Sequence, residues 1–330
     1  MQKKVAVLAG LVAIVVATIV FLQSGSRVSS LSNQANDPHE AASPQNLAVG
    51  KNASVGIPQT APKLVDVPDR SGNANERSTA IWREFANAAN VKAFSEKYRN
   101  APLDSTERFL ADYAVLSCGS LTTVGKEKFI EFAERRKKRA PPDPSEDEAQ
   151  DSAIRRYVTS CRDFMDNLPA EKVLGGMIEL RSRPAVEAKA LALVDKSQQP
   201  GAATSALVRE SGAILSSDNP FVVQAMGKIW FKAAHERIES LEASIFRGMS
   251  PNAVQASWHI ASCSLGIECG PNSEVLHVEC VLGRRCLASD VPSYYDRYVL
   301  TRTESVQVAR TSEEILRAIR ERNFTLLGIR

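Results

Sequence analysis

Four of the six cysteines fall in the 24 residues from Cys263 to Cys286, with the spacing C-x5-C-x10-C-x5-C. So dense a cluster constrains the chain more than any hydrophobic pattern, because each bridge holds two Cα atoms within about 7 Å. Zinc ligands usually pair about two to four residues apart, and redox dithiols about two. The five-residue gaps here fit neither, so the module at residues 258–290 reads as two disulfides pinning a helical hairpin. Four cysteines allow three pairings. Equal offsets favour Cys263–Cys280 with Cys269–Cys286, which would staple parallel positions. The remaining two, Cys118 and Cys161, each follow a serine at the end of an apolar helical pattern. Their pairing would close a loop of about 44 residues and stabilise the fold by roughly 3–4 kcal/mol.

An even cysteine count fits an oxidising compartment, and the N-terminus agrees. Residues 1–4 carry Lys3 and Lys4; Val5 to Leu22 is then apolar apart from Thr18. As a helix this run would span about 27 Å, close to the hydrocarbon thickness of a bilayer. The lysines favour a cytoplasmic tip at 1–4, a membrane anchor at 5–22 and a body on the far side of the membrane, periplasmic in a Gram-negative cell. The apolar run is long for a cleaved signal peptide and has no A-x-A-like site after it, only Ser24-Gly25-Ser26. An uncleaved signal anchor is therefore preferred to secretion after cleavage. Residues 23–77 are rich in Ser, Asn, Ala, Gln and Pro and hold no aromatic residue. Such a linker buries too little apolar surface to offset its ordering entropy, and its reach as a tether is about 40 Å.

From residue 78 to 330 the pattern is helical. Ile81, Phe85, Ala88, Val91, Phe94 and Tyr98 recur at helical spacing. Asp104 with Glu107 reads as a capping box, and so does Thr311 with Glu314 ahead of the last helix. The acidic, proline-rich segment from Pro141 to Asp151 reads as an exposed loop. Arg135 to Arg139 reads as a cationic helix end that complements the helix dipole. Asn219-Pro220 starts the longest helix, whose stripe of Val222, Met226, Ile229, Trp230 and Ala233 shifts after His235, so a break is expected there. Ser250-Pro251 starts the next helix, and Tyr294, Tyr295 and Tyr298 suggest a further one. No stretch alternates with period two as a strand does. The expected fold is all-α: helical hairpins, solenoid-like or in an irregular bundle, stapled by disulfides. A fixed repeat period is absent.

Chemistry-bearing patterns are few. A net charge of +3 over 330 residues gives no nucleic-acid surface. Phosphate-cradling glycine loops and a G-x-S-x-G elbow are absent from the sequence. His235-Glu236-x-x-Glu239 is a zincin-like motif with its second histidine replaced. A metal hydrolase would need His235 and Glu239 one helical turn apart, Glu236 as base, and His259 or His277 as a third ligand. Exposed His-Glu pairs on helices are common, so neither a catalytic residue, a metal nor a cofactor is assigned. Trp82, Trp230 and Trp258 lie on apolar stripes and read as core, with a ligand-stacking groove the lesser alternative. The expectation is a membrane-anchored, extracytoplasmic interaction or assembly scaffold with a protein partner in the cell envelope. An envelope-acting hydrolase is the alternative, and thiol-redox work by the cysteine module a weaker third.

Overall fold

A computed structural model describes residues 72–139, 143–165 and 170–330. The expected tip, the anchor at 5–22 and the linker up to residue 71 lie outside the described residues. No described helix is long and apolar enough to cross a membrane.

The described chain is helical, with no strand. α1 (Gly72–Ala86), α2 (Val91–Tyr98) and α3 (Thr106–Ser117) open it, followed by α4 (Gly119–Val124), α5 (Lys126–Arg139), α6 (Pro144–Met165) and α7 (Ala170–Arg181). Next come α8 (Val186–Gln198), α9 (Thr204–Leu215), α10 (Pro220–His235), α11 (Glu239–Glu242) and α12 (Pro251–Ser264). α13 (Glu274–Gly283), α14 (Val291–Tyr298), α15 (Arg302–Arg320) and a 3-10 turn at Phe324–Leu327 complete it.

The core is built on α10 and α12, which pack against each other more extensively than any other pair, with α8 and α9 also on α10 and α15 on α12. Both helices start as their residues dictate. Asn219 accepts from the backbone N–H of Phe221 at 3.0 Å ahead of Pro220, and Ser250 accepts from that of Ala253 at 3.2 Å ahead of Pro251. The α10 stripe is fully enclosed, and Trp230 meets Trp258 of α12 with ring centroids 4.7 Å apart. Gly227 permits this approach: a Cβ there would sit 3.1 Å from the Trp258 Cβ. Full burial of such side chains contributes about 1.5–3 kcal/mol each. α10 ends at His235 and the chain turns through Arg237 at φ 52°, so the expected break is present.

Four local expectations are corrected. Residues 72–77, expected to belong to the linker, are helical, because α1 begins at Gly72; Ser78 is buried and Arg77 binds Glu107 at 2.5 Å, which gives the early turns tertiary anchorage. Ser105, not Asp104, caps α3, accepting from the Arg108 N–H at 3.2 Å, and Glu107 turns to Arg77 instead. The segment expected as an acidic loop is the start of α6 from Pro144 onward, where Asp143 accepts from the N–H of Ser145 and of Glu146 and the acidic residues favour the positive end of the helix dipole. α15 begins ten residues before the expected start: Thr301 and Glu304 form its capping box, while Thr311 is buried within the helix.

All six cysteines are bonded. Cys118 pairs with Cys161, joining the end of α3 to α6. Within the module the pairs are Cys263–Cys269 and Cys280–Cys286, not the expected Cys263–Cys280 and Cys269–Cys286. Each bridge closes the turn leaving one helix: Cys263 sits in the last turn of α12, and Cys280 precedes the left-handed cap at Arg284 after α13. Their Cα separations, 5.6 and 4.4 Å, are within disulfide reach. The bridges therefore fix two exits rather than rivet one helix to the other.

Candidate functional site

Behind the α12 exit lies a cleft of about 150 Å³. One wall is α1, through Trp82 and Phe85; the opposite wall is α6, through Arg156 and Tyr157; the loop from Ile267 to Asn272 and the first turn of α13 close the side. The α6 wall and the closing loop are each held by a covalent link. Cys161 of α6 is tied to α3, and Cys269 ties the loop back to α12. Gly266 makes the loop fit: it turns at φ 100°, and a Cβ there would lie 2.7 Å from the Thr79 Cγ2 on α1. Ser273 caps α13 by accepting from the Leu276 N–H at 3.2 Å, which sets Glu274 in the first turn, where a carboxylate suits the helix dipole.

Many of the polar groups here hold one another. The Tyr113 hydroxyl donates to Glu274 at 2.5 Å, and burial pushes that phenol well above its ordinary pKa. The Tyr157 hydroxyl donates to the Ser117 carbonyl at 2.5 Å. Arg156 donates to Asn272 at 3.0 Å, and Asn272 in turn donates to Asn87 at 2.7 Å, bridging the mouth. Glu268 accepts from the Gly270 N–H at 2.8 Å.

Others have no hydrogen-bond partner among the described residues. The Trp82 Nε1–H is buried with no acceptor, although the ring itself stacks on Phe221 at 4.8 Å. The Gln224 amide and the His277 imidazole line the same cleft and make no hydrogen bond among the described residues. Burial, and secondarily the Arg156 charge, hold His277 down at about 4. It is thus neutral near pH 7 and a poor general base, since such a base works best with a pKa near the operating pH.

The motif residues are not brought together. His235 is the last residue of α10 and Glu239 the first of α11, with Arg237 in a left-handed turn between them. Two ligands one helical turn apart are therefore not presented, and Glu236 faces Lys232 at 3.6 Å. His259 is enclosed in the core, its Nδ1 paired with the Tyr295 hydroxyl at 2.8 Å. Burial, with a smaller effect of Lys228, holds it down at about 3. Among the described residues no three His, Cys, Asp or Glu side chains gather as a metal ion requires. The three tryptophans are core residues, and Trp82 is also a wall of the cleft. Arg156, Gln224, Glu268 and Asn272 were not foreseen; the short Cys263-x5-Cys269 spacing that encloses Glu268 was the one signal in the sequence.

Compared with family models, curated proteins and solved structures, the chain matches none. The functional reading therefore rests on the cleft.

Proposed function

We propose that this chain is a non-catalytic interaction or assembly scaffold of the cell envelope. In this reading residues 5–22 anchor it in the membrane, the following linker spaces it from the surface, and the stacked helical hairpins form its extracytoplasmic body, periplasmic in a Gram-negative cell. The observation that supports it best is a cleft braced by disulfides, apolar at its walls and carrying polar groups without protein partners. That combination suits recognition. The pairing of all six cysteines favours it over thiol chemistry.

The test is site-specific photo-cross-linking in intact cells, with the cross-linker at Ala88 or Asn272 on the cleft and at the exposed Val306 of α15. One identified envelope protein, captured again from the reciprocal side, is expected. No adduct from any position would overturn the scaffold reading. A Glu236→Gln variant checks the hydrolase alternative: it should retain full function in the cell, and a specific loss with the fold intact would revive that alternative.

A further inference from the structure

The unpartnered polar groups and the size of the cleft together narrow what enters it. Pockets that enclose a whole drug-sized molecule measure about 300–1,000 Å³. This cleft, at about 150 Å³, is smaller. A cavity of roughly that size in another protein is known to accept benzene. It therefore suits one ring of a larger partner, in the manner of the buried anchors that dominate protein interfaces. The walls are partly aromatic, from Trp82, Phe85 and Tyr157, and rings favour one another edge-to-face or offset-stacked. A purely apolar ring would leave the Gln224 amide and the His277 imidazole enclosed and unbonded, which costs free energy. The occupant thus needs an apolar body and a polar tip. The charged lining is two carboxylates, Glu268 and Glu274, against one guanidinium, Arg156; each already makes a neutral hydrogen bond, to the Gly270 N–H, the Tyr113 hydroxyl and Asn272, so the excess charge is negative.

From these observations we propose that the cleft is a socket for a single tyrosine side chain on an extended segment of a partner protein, flanked in that segment by lysine or arginine. The proposal rests on the scaffold reading and names the chemistry of its partner. The tyrosine hydroxyl meets Gln224 and His277, and the flanking cations face Glu268 and Glu274.

The test uses the full chain in detergent micelles with its three tryptophans labelled at the indole nitrogen. The Trp82 signal is assigned through a Trp82→Phe variant. Trp230, whose indole donates to the Leu327 carbonyl at 3.0 Å, serves as an internal reference. The probes are acetylated, amidated Lys-Tyr-Lys, Lys-Phe-Lys and Glu-Tyr-Glu tripeptides, and p-cresol. The Trp82 signal should shift and saturate with Lys-Tyr-Lys while the Trp230 signal stays in place. Lys-Phe-Lys should bind about tenfold more weakly, the effect of one hydrogen bond. Glu-Tyr-Glu should bind more weakly too, with a gap that narrows as salt is added. Ala88→Trp, which crowds the cleft, should abolish the shift. If that variant misfolds, Gln224→Leu should reduce the preference for tyrosine over phenylalanine.

A Trp82 signal unmoved by Lys-Tyr-Lys overturns the proposal, as does equal binding of the phenylalanine or the glutamate peptide. If p-cresol binds as tightly as the tripeptide, the cleft is a site for a free phenol and the peptide reading fails. A partner cross-linked from Val306 but not from Ala88 or Asn272 would preserve the scaffold reading while removing this one.

Discussion

Acidification from pH 7 to pH 5 should destabilise the protein by about 4 kcal/mol, through two histidines on different elements. His277 and His259 titrate in the folded chain at about 4 and about 3, against an ordinary value near 6.5 in the unfolded chain. Between those values the unfolded chain binds protons that the folded chain refuses, so stability rises with pH in this window and falls as the pH is lowered. At pH 5 each unfolded imidazole is almost wholly charged and each folded one almost wholly neutral. The linkage relation then gives a loss of about 2 kcal/mol per histidine relative to pH 7. The measurement is urea denaturation followed by circular dichroism at both pH values, on the wild type and on His277→Gln. The variant should lose about half of the pH dependence, because His259, held by Tyr295 in the core, still contributes its share. A wild type equally stable at both pH values, or a His277→Gln variant with undiminished dependence, would refute the reasoning that burial keeps these imidazoles neutral.

The two classes of disulfide should differ in the effect of their removal. Replacing Cys118 and Cys161 by alanine opens a closure with a sequence separation of 43 residues and should cost about 4 kcal/mol, whereas removing Cys280–Cys286, with a separation of 6, should cost about 2 kcal/mol, as measured by urea midpoints. Thr301→Ala removes the cap of α15 and should cost about 1 kcal/mol by the same assay. An unchanged midpoint would mean the helix starts elsewhere. At the alkaline end, burial raises the phenols of Tyr113, Tyr294 and Tyr295, so the folded chain keeps protons that the unfolded chain releases above about pH 10. Stability should be intact below that value and fall as the pH climbs past it, in step with the ultraviolet signal of phenolate formation.

Much of the helical fold was legible in the sequence because its signals are local. Asn219-Pro220 and Ser250-Pro251 each place a side-chain acceptor directly before a proline that costs no helical hydrogen bond, and both helices start there. Thr301 and Thr311 show where local reading stops working. Both precede a glutamate at the capping-box distance, yet a cap operates only where the chain leaves helical geometry, and at Thr311 it does not. The same holds for Asp143: the prolines before it suggested a loop, but its carboxylate starts a helix once the chain turns. The cleft was hardly legible. Asn272 reaches Arg156 across 116 positions and Asn87 across 185, and no periodicity encodes such a meeting. Trp82 carried an apolar-stripe signal identical to that of Trp230 and Trp258; the difference lies in what the other side of the ring faces. The motif at His235 failed for a related reason, since its spacing has meaning only if the helix continues through it.

The order of the bridges has a consequence for how the chain is made. Every disulfide joins a cysteine to the next one along the sequence: Cys118 to Cys161, Cys263 to Cys269, Cys280 to Cys286. Six cysteines admit fifteen full pairings. A polypeptide delivered N-terminus first into oxidising solution presents a correct partner to each thiol before any later, wrong one emerges. On the export route proposed above, first-come oxidation would yield the native set, and maturation would call for an oxidant and little reshuffling. Refolding the reduced, full-length chain removes that ordering, exposes all six thiols together, and should give scrambled products that a dithiol isomerase is needed to resolve.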